Sequence, residues 1–197
     1  MPRYSNPILR LVFLSLLGAA LTCACSKGSG GSTSLHLKSA NTGEKDIAVK
    51  SSHTFAVTKS FTDINNKITT ASSYRTYVAN YDLDPGNFAM SMDKPLSNDD
   101  QIRIVFSLVG EEGSTEKSPL KAGTYSAKAD KYMKVEDVTI VSRKNGSEVR
   151  TSLDRGTVTG EVKITSASAD AISGDIDVTS GDSAVKGSFT AKTLKRK

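Results

Sequence analysis

The 197-residue chain has no tryptophan, only two cysteines and only two histidines. Both cysteines, Cys23 and Cys25, lie near the N-terminus, so disulfide bonds cannot cross-link a folded domain further along the chain. A His/Cys metal site would have almost no ligands. The histidines, His36 and His53, lie in a weakly patterned region, and no G-x-S-x-G nucleophile motif is present. We therefore expect no catalytic residues, no cofactor and no metal, and we predict that the protein is not an enzyme.

A large excess of one charge is also lacking. The whole chain has 26 basic and 21 acidic residues. Arg3 and Arg10 belong to an N-terminal targeting pattern, and without them 24 basic residues face 21 acidic ones. Such a near balance argues against nucleic acid as a partner. No helical hydrophobic period is visible after the N-terminal segment, and no dinucleotide or Walker fingerprint occurs.

Residues 1–24 have the architecture of a secretory signal peptide. Two arginines and no acidic residue precede an apolar run, LVFLSLLGAAL, which spans residues 11–21. This run is shorter than the ~20 residues that a membrane-spanning helix needs. A charged start, a short apolar middle and small residues after it are typical of a signal peptide. The chain is therefore expected to be exported.

The residues Thr22-Cys23-Ala24-Cys25 resemble the lipobox of bacterial lipoproteins, with Thr22 where that family prefers leucine. The resemblance implies that Cys25 is the lipid attachment site and the new N-terminus, which would anchor the protein in a membrane. By the same resemblance, Ser26 rather than aspartate after the cysteine favours the outer membrane. An ordinary cleaved signal, or a Cys23–Cys25 disulfide, is the alternative. Residues 25–34 then form a lipidated cysteine and a Gly/Ser-rich tether.

Residues 35–194 suit one all-β domain, followed by a basic tail at 195–197. The clearest pattern lies in residues 156–194, where apolar and polar residues alternate in three successive segments. Such alternation indicates strands with one buried and one solvated face. We predict an antiparallel β-sandwich-like domain with a C-terminal meander, and a calycin-like β-barrel is the alternative. Together with the two strands that flank Asn145-Gly146, these segments would give the C-terminal half five successive antiparallel strands.

Two turns fix registers within this region. Asn145-Gly146 predicts a two-residue hairpin, and Gly181 as the first central residue of a second turn predicts another, which pairs Val178 with Val185. Between the first two of the three alternating segments, the sequence predicts a loop of three or five residues around 166–170, with Ile164 opposite Ile172. That register sets Glu161 opposite Asp175, a pair that a calcium ion could bridge, although no EF-hand spacing is present.

Glycine recurs on the predicted apolar faces, at Gly160, Gly174 and Gly187. Local bending of a curved sheet is the favoured interpretation, and close approach of a ligand to the backbone is the alternative. Earlier in the chain, Phe88, Met90 and Met92 predict one face of a strand after the turn at 84–86. Residues 102–109 predict a central strand covered on both faces. Residues 35–73 are only weakly patterned.

These features predict a non-catalytic binding or structural role at the cell envelope, with an envelope protein or a glycan as partner. The charged loop Glu111–Ser118 or a sheet edge is the expected contact surface. The alternative is a small β-barrel that binds an apolar ligand in its interior. That alternative predicts a cavity lined by Tyr77, Tyr81, Phe88, Met90 and Phe106. The tyrosines in or beside strands, Tyr74, Tyr77, Tyr81, Tyr125 and Tyr132, are expected to be core residues with their hydroxyls at the rim.

Overall fold

A computed structural model of the chain describes residues 33–86 and 89–195. Within these residues the chain forms eleven β-strands and one short helix, which confirms the predicted all-β fold class. In chain order the elements are β1 (Ser34–Ser39), β2 (Gly43–Ala48), β3 (Ser51–Thr62), β4 (Ile68–Ala79), α1 (Ala89–Met92), β5 (Arg103–Val109), β6 (Gly123–Ser126), β7 (Lys134–Lys144), β8 (Ser147–Ser152), β9 (Thr159–Ala167), β10 (Ala171–Ser180) and β11 (Ser183–Thr193).

All eleven strands belong to one hydrogen-bonded sheet with the order β10-β9-β6-β7-β5-β4-β3-β11-β1-β2, and β8 is paired to β7. Because β10 also pairs with β11, the path closes into a ring. Most pairings are antiparallel; β6 with β7 and β3 with β11 are parallel and short. Strand β11 therefore has β10 on one side, while its other side is shared between β1 and β3.

The ring encloses the larger of two hydrophobic clusters. Strand β5 is buried throughout, as its apolar sequence predicts, because each face packs on a different cluster. Ile104 and Phe106 belong to the interior cluster, and Val105 belongs to a second cluster on the outer face. The second cluster is completed by Leu83, Met92 and other residues of the segment between β4 and β5. The sheet is thus covered on both sides at β5.

Both two-residue hairpins are confirmed. Asn145 and Gly146 have φ values of 53° and 78°, so both central residues are left-handed, as a type I′ turn requires. Gly181 has a φ of 54°, whereas Asp182 is not left-handed, as a type II′ turn requires. Val178 pairs with Val185, as predicted.

The predicted register between β9 and β10 is wrong by two residues. Ile164 lies opposite Gly174 instead of Ile172, and Ile172 lies opposite Ala167. A register shift between Ser173 and Gly174 leaves one extra residue in β9, which is a β-bulge. The loop between the paired residues Ala167 and Ile172 has an even number of residues, whereas an odd number was predicted. The extra residue of the bulge compensates for this difference. The apolar residues of both strands therefore still face the interior.

Two other expectations for the chain path are corrected. The segment with Met90 and Met92 is the short helix α1 rather than a strand; Met92 is buried against the second cluster, while Met90 is 83% exposed. Phe88 lies outside the described residues. The last five strands are present, but β8 pairs with β7 and not with β9. Strand β9 pairs instead with β6, a partner that lies before β7 in the chain.

The glycines on the predicted apolar faces are explained by neighbouring strands. A Cβ atom on Gly160 would lie 2.0 Å from the carbonyl oxygen of Asp177, and one on Gly174 would lie 2.3 Å from that of Lys163. Adjacent backbone therefore occupies the space that a side chain would need. This supports the structural interpretation of these glycines over close approach of a ligand.

Candidate functional site

A groove of about 420 Å³ lies beside strand β3, at the point where β11 leaves it. Strands β3 and β11 pair only at His53–Lys192 and Thr54–Thr193. One further contact follows, in which the Leu194 N–H donates to the Thr54 carbonyl oxygen at 2.7 Å. Strand β3 then continues to Thr62 without β11. The groove is lined by Ala56, Tyr74, Glu116, Lys117, Pro119, Ser168, Ala169, Thr193, Leu194 and Lys195.

One wall of the groove is the charged loop after β5, residues 111–118, which was the predicted contact loop. The Glu116 N–H donates to the Thr58 hydroxyl oxygen at 3.0 Å, which ties the loop to β3. The Tyr74 hydroxyl donates to the Ser118 carbonyl oxygen at 2.8 Å, which ties it to β4. These bonds fix the backbone of the loop, while the side chains of Glu116 and Lys117 line the opening.

The opposite wall is the turn between β9 and β10. The Thr193 N–H donates to the Asp170 carbonyl oxygen at 2.8 Å, so the turn is held to the end of β11. The Lys195 ammonium also donates to the Asp170 carboxylate at 2.9 Å. This bond is the main reason that the pKa of Asp170 lies below its ordinary value. Lys195 is thereby held at the rim of the groove.

The surface of the groove is mixed in character. Tyr74, Pro119 and Leu194 supply apolar area, and Glu116 and Lys117 supply charges of opposite sign. Burial is the main cause of a raised pKa at Tyr74, so its hydroxyl stays protonated near neutral pH and acts as a donor. Polar and apolar groups that converge in a cleft are typical of binding sites. The arrangement can bind a ligand through shape, apolar contact and a small number of polar groups.

The residues predicted to line an interior ligand cavity do not come together. Phe106 packs in the interior cluster, whereas Tyr77 and Tyr81 pack with the cluster on the outer face. Met90 is exposed on α1. In the interior, Phe106 packs against Phe189, with 5.1 Å between the ring centroids.

The expectation that the tyrosines are core residues is confirmed for three of them. Tyr74, Tyr77 and Tyr125 are at most 4% exposed. Each hydroxyl has a polar partner; that of Tyr77 donates to the Asp93 carboxylate at 3.1 Å and that of Tyr125 donates to the Lys121 carbonyl oxygen at 2.8 Å. Burial raises the pKa of both hydroxyls.

The carboxylate pair that was considered for calcium is not formed. Asp175 lies opposite Lys163, and Glu161 lies opposite Asp177, because of the register correction in β9. The ammonium of Lys186 lies 3.0 Å from the Asp177 carboxylate. Within residues 33–86 and 89–195, no group of three or more His, Cys, Asp and Glu side chains is placed to hold a metal ion.

The predicted lipid attachment site, Cys25, and the predicted signal peptide lie outside the described residues. No helix in the described part of the chain combines the length and the hydrophobicity needed to cross a membrane. Comparison with models of protein families, with curated proteins and with solved structures gives no match.

Sequence reasoning identified the loop at 111–118 but missed the rest of the groove. Ala56 and Leu194 are brought together by a parallel pairing between strands that are more than a hundred residues apart in the chain. No local pattern marks such a pairing.

Proposed function

We propose that the protein is a lipid-anchored cell-envelope protein whose all-β domain binds a partner without catalysis. The groove beside β3 carries this proposal, because it is bounded by the loop at 111–118 that the sequence marked as a contact surface. Its walls are held in place by backbone hydrogen bonds, so the site is formed before any partner arrives. Preformed clefts reduce the entropic cost of binding.

The N-terminal pattern supports the location. A lipid on Cys25, followed by the Gly/Ser-rich residues 26–32, would place the domain at a membrane surface on a flexible tether. Each buried CH₂ of an acyl chain contributes about 0.8 kcal/mol, so two or more chains give stable anchoring. We place the protein at the outer membrane, with an envelope protein or a glycan as its partner.

The anchor is tested by intact mass and envelope fractionation after expression in a Gram-negative host. We expect a mature chain that begins at Cys25, carries acyl chains and fractionates with the outer membrane. Cys25→Ala should abolish acylation, and Cys23→Ala is the matched control that should retain it. A soluble product cleaved elsewhere and free of acyl chains would contradict the lipoprotein assignment.

Partner binding in the groove is tested by photo-cross-linking in intact cells. A photoreactive amino acid is introduced at Lys117 on the groove wall, and at Lys45 on β2 as the control, because Lys45 is also an exposed lysine but lies on a different part of the sheet. We expect a discrete adduct from position 117 and none from position 45. Equal adducts from both positions, or none from position 117, would contradict a binding role for the groove.

A further inference from the structure

We propose that the partner of this groove is an extended polypeptide segment that adds to the open edge of β3 as an additional strand. This inference rests on the proposed function and names the class of partner. The backbone groups that β3 presents at this site, and not only the side chains around it, indicate an extended polypeptide as the partner.

The direction of the β3 backbone groups follows from its two ends. The Thr54 carbonyl oxygen accepts a hydrogen bond from Leu194, so Thr54 points towards β11. At the other end, the Asp63 N–H donates to the Lys67 carbonyl oxygen at 3.1 Å, so Asp63 points towards β4. Backbone direction alternates along a strand. Ala56, Thr58 and Ser60 therefore direct their N–H and C=O groups away from β4, on the side that β11 has left.

In the described part of the chain, no strand pairs with this side of β3 beyond Thr54. The loop at 111–118 bonds to the Thr58 side chain and leaves the backbone N–H and C=O groups of Thr58 unpaired. Thr58 and Ser60 are exposed. Their repeat of two residues, about 6.8 Å along the strand, is the repeat of an extended chain. An open edge of this kind accepts a peptide by β-strand addition.

Proline and unpaired charge, two of the devices that block a sheet edge, are not used at these positions. Strand β3 contains no proline. Its single lysine, Lys59, pairs with Glu136 of β7 and so does not guard the edge. Ala56, Thr58 and Ser60 carry no charge. The edge is therefore left open where the groove begins.

The groove supplies room for the side chains of an added strand. Neighbouring strands lie about 4.8 Å apart, so the segment would run directly beside Ala56. Tyr74 is the cross-strand partner of Ala56 on β4, and it lies in the groove with Leu194 and Pro119. Alternate side chains of the segment would contact this apolar area, while Glu116 and Lys117 select its charges. Main-chain bonds would supply affinity and the groove would supply specificity.

The probe for this proposal is a phage-displayed library of unstructured ten-residue peptides, selected on the full chain in detergent. The selected peptide is then synthesised, and amide hydrogen exchange is followed by NMR. We expect the peptide to slow exchange at Ala56, Thr58 and Ser60 at least tenfold. Peptides methylated on alternate backbone nitrogens should lose binding, whereas methylation of the intervening nitrogens should not; this comparison needs no variant of the protein.

Thr58→Pro and Thr58→Ala form a matched pair on the protein side. Both remove the hydroxyl that accepts the Glu116 N–H, but only proline removes the Thr58 N–H. Because the two variants share the loss of the hydroxyl, we expect T58P to bind the peptide at least tenfold more weakly than T58A does. Equal binding by both variants would overturn strand addition.

Other outcomes separate this inference from the proposed function. One outcome is that cross-linking at position 117 succeeds while no peptide is selected, or while the selected peptides do not slow hydrogen exchange at the three edge amides. In either case the groove binds a partner and strand addition is wrong. If neither experiment gives a partner, both proposals fail. Concentration-dependent dimerisation in sedimentation experiments that T58P abolishes would make a second copy the occupant and would also overturn this assignment.

Discussion

The rings of Phe106 and Phe189 meet edge to face, with 5.1 Å between centroids and 74° between planes. Phe106 lies on β5 and Phe189 on β11, and these strands are not neighbours in the sheet. The contact therefore crosses the interior of the ring. Both side chains are at most 1% exposed. The pair packs opposite parts of the sheet against each other, whereas hydrogen bonds connect only adjacent strands.

Substitution of either phenylalanine by alanine should lower the free energy of unfolding by about 3–5 kcal/mol, because each leaves a cavity in a close-packed core. The double variant should lose about 0.5–1.5 kcal/mol less than the sum, since the edge-to-face contact is lost only once. Urea unfolding of the four proteins measures both quantities. Phe61→Ala is the control, because Phe61 is only partly buried and should cost less. Strict additivity would show that the two rings are not coupled.

Gly160→Ala should be strongly destabilising. The φ of Gly160 is 99°, and an added Cβ would lie 2.0 Å from the Asp177 carbonyl oxygen of β10. Strained backbone and overpacking each cost roughly 1–3 kcal/mol, so we expect a loss of about 3 kcal/mol or more. Gly113→Ala is the matched control, because its φ is 80° but nothing lies within 4 Å of its added Cβ. Chemical denaturation should give a clearly larger loss for G160A, and equal losses would show that β9 can shift away from β10.

The sequence predicts those parts of the fold that have a local chemical cause. Asn145-Gly146 and Gly181 specify their turns because few residues tolerate positive φ, and the strand registers on either side follow from the turns. The bulge in β9 was missed because residues 165–167 give no sign of an extra residue. The groove was missed for a different reason. It depends on where β11 stops along β3, which is a tertiary pairing without a local sequence signal.

Arg103 on β5 is expected to hold the segment between β4 and β5 on the sheet. Its side chain is 1% exposed, and its Nη1 atom donates to the Tyr81 hydroxyl oxygen at 3.0 Å and to the Lys94 carbonyl oxygen at 2.9 Å. Arg103→Lys keeps the charge, but its shorter side chain ends before the Nη1 position from which both acceptors are contacted. We expect the free energy of unfolding to fall by about 1–3 kcal/mol.

Limited proteolysis and urea unfolding test this role of Arg103. R103K should make residues 82–101 more sensitive to protease. Lys94→Met is the matched control: it retains the carbonyl that Arg103 binds and removes only an exposed ion pair with Asp84, which is worth less than about 1 kcal/mol. Similar protease sensitivity in both variants would argue that Arg103 does not hold this segment.

His53 should make the stability of the domain depend on pH. Burial, together with the positive charge of Lys192 opposite it on β11, holds the pKa of His53 below its ordinary value of 6.5. The unfolded chain therefore binds a proton more readily than the folded one as the pH falls. By linkage, the contribution of neutral His53 to stability is fully present above pH 6.5 and is lost as the pH falls through that value towards the lower folded-state pKa.

We therefore expect the free energy of unfolding to decrease between pH 7.5 and pH 5, measured by urea denaturation at about half-unit steps. His53→Gln should flatten this part of the profile, and Lys192→Met should flatten it partly, because it removes one of the two causes of the shift. NMR titration of the His53 ring gives the folded-state pKa directly. A profile of the same steepness in H53Q would assign the pH dependence to other groups. A measured pKa at or above 6.5 would show that the junction of β3 and β11, where the groove begins, is more open to water than the structure indicates.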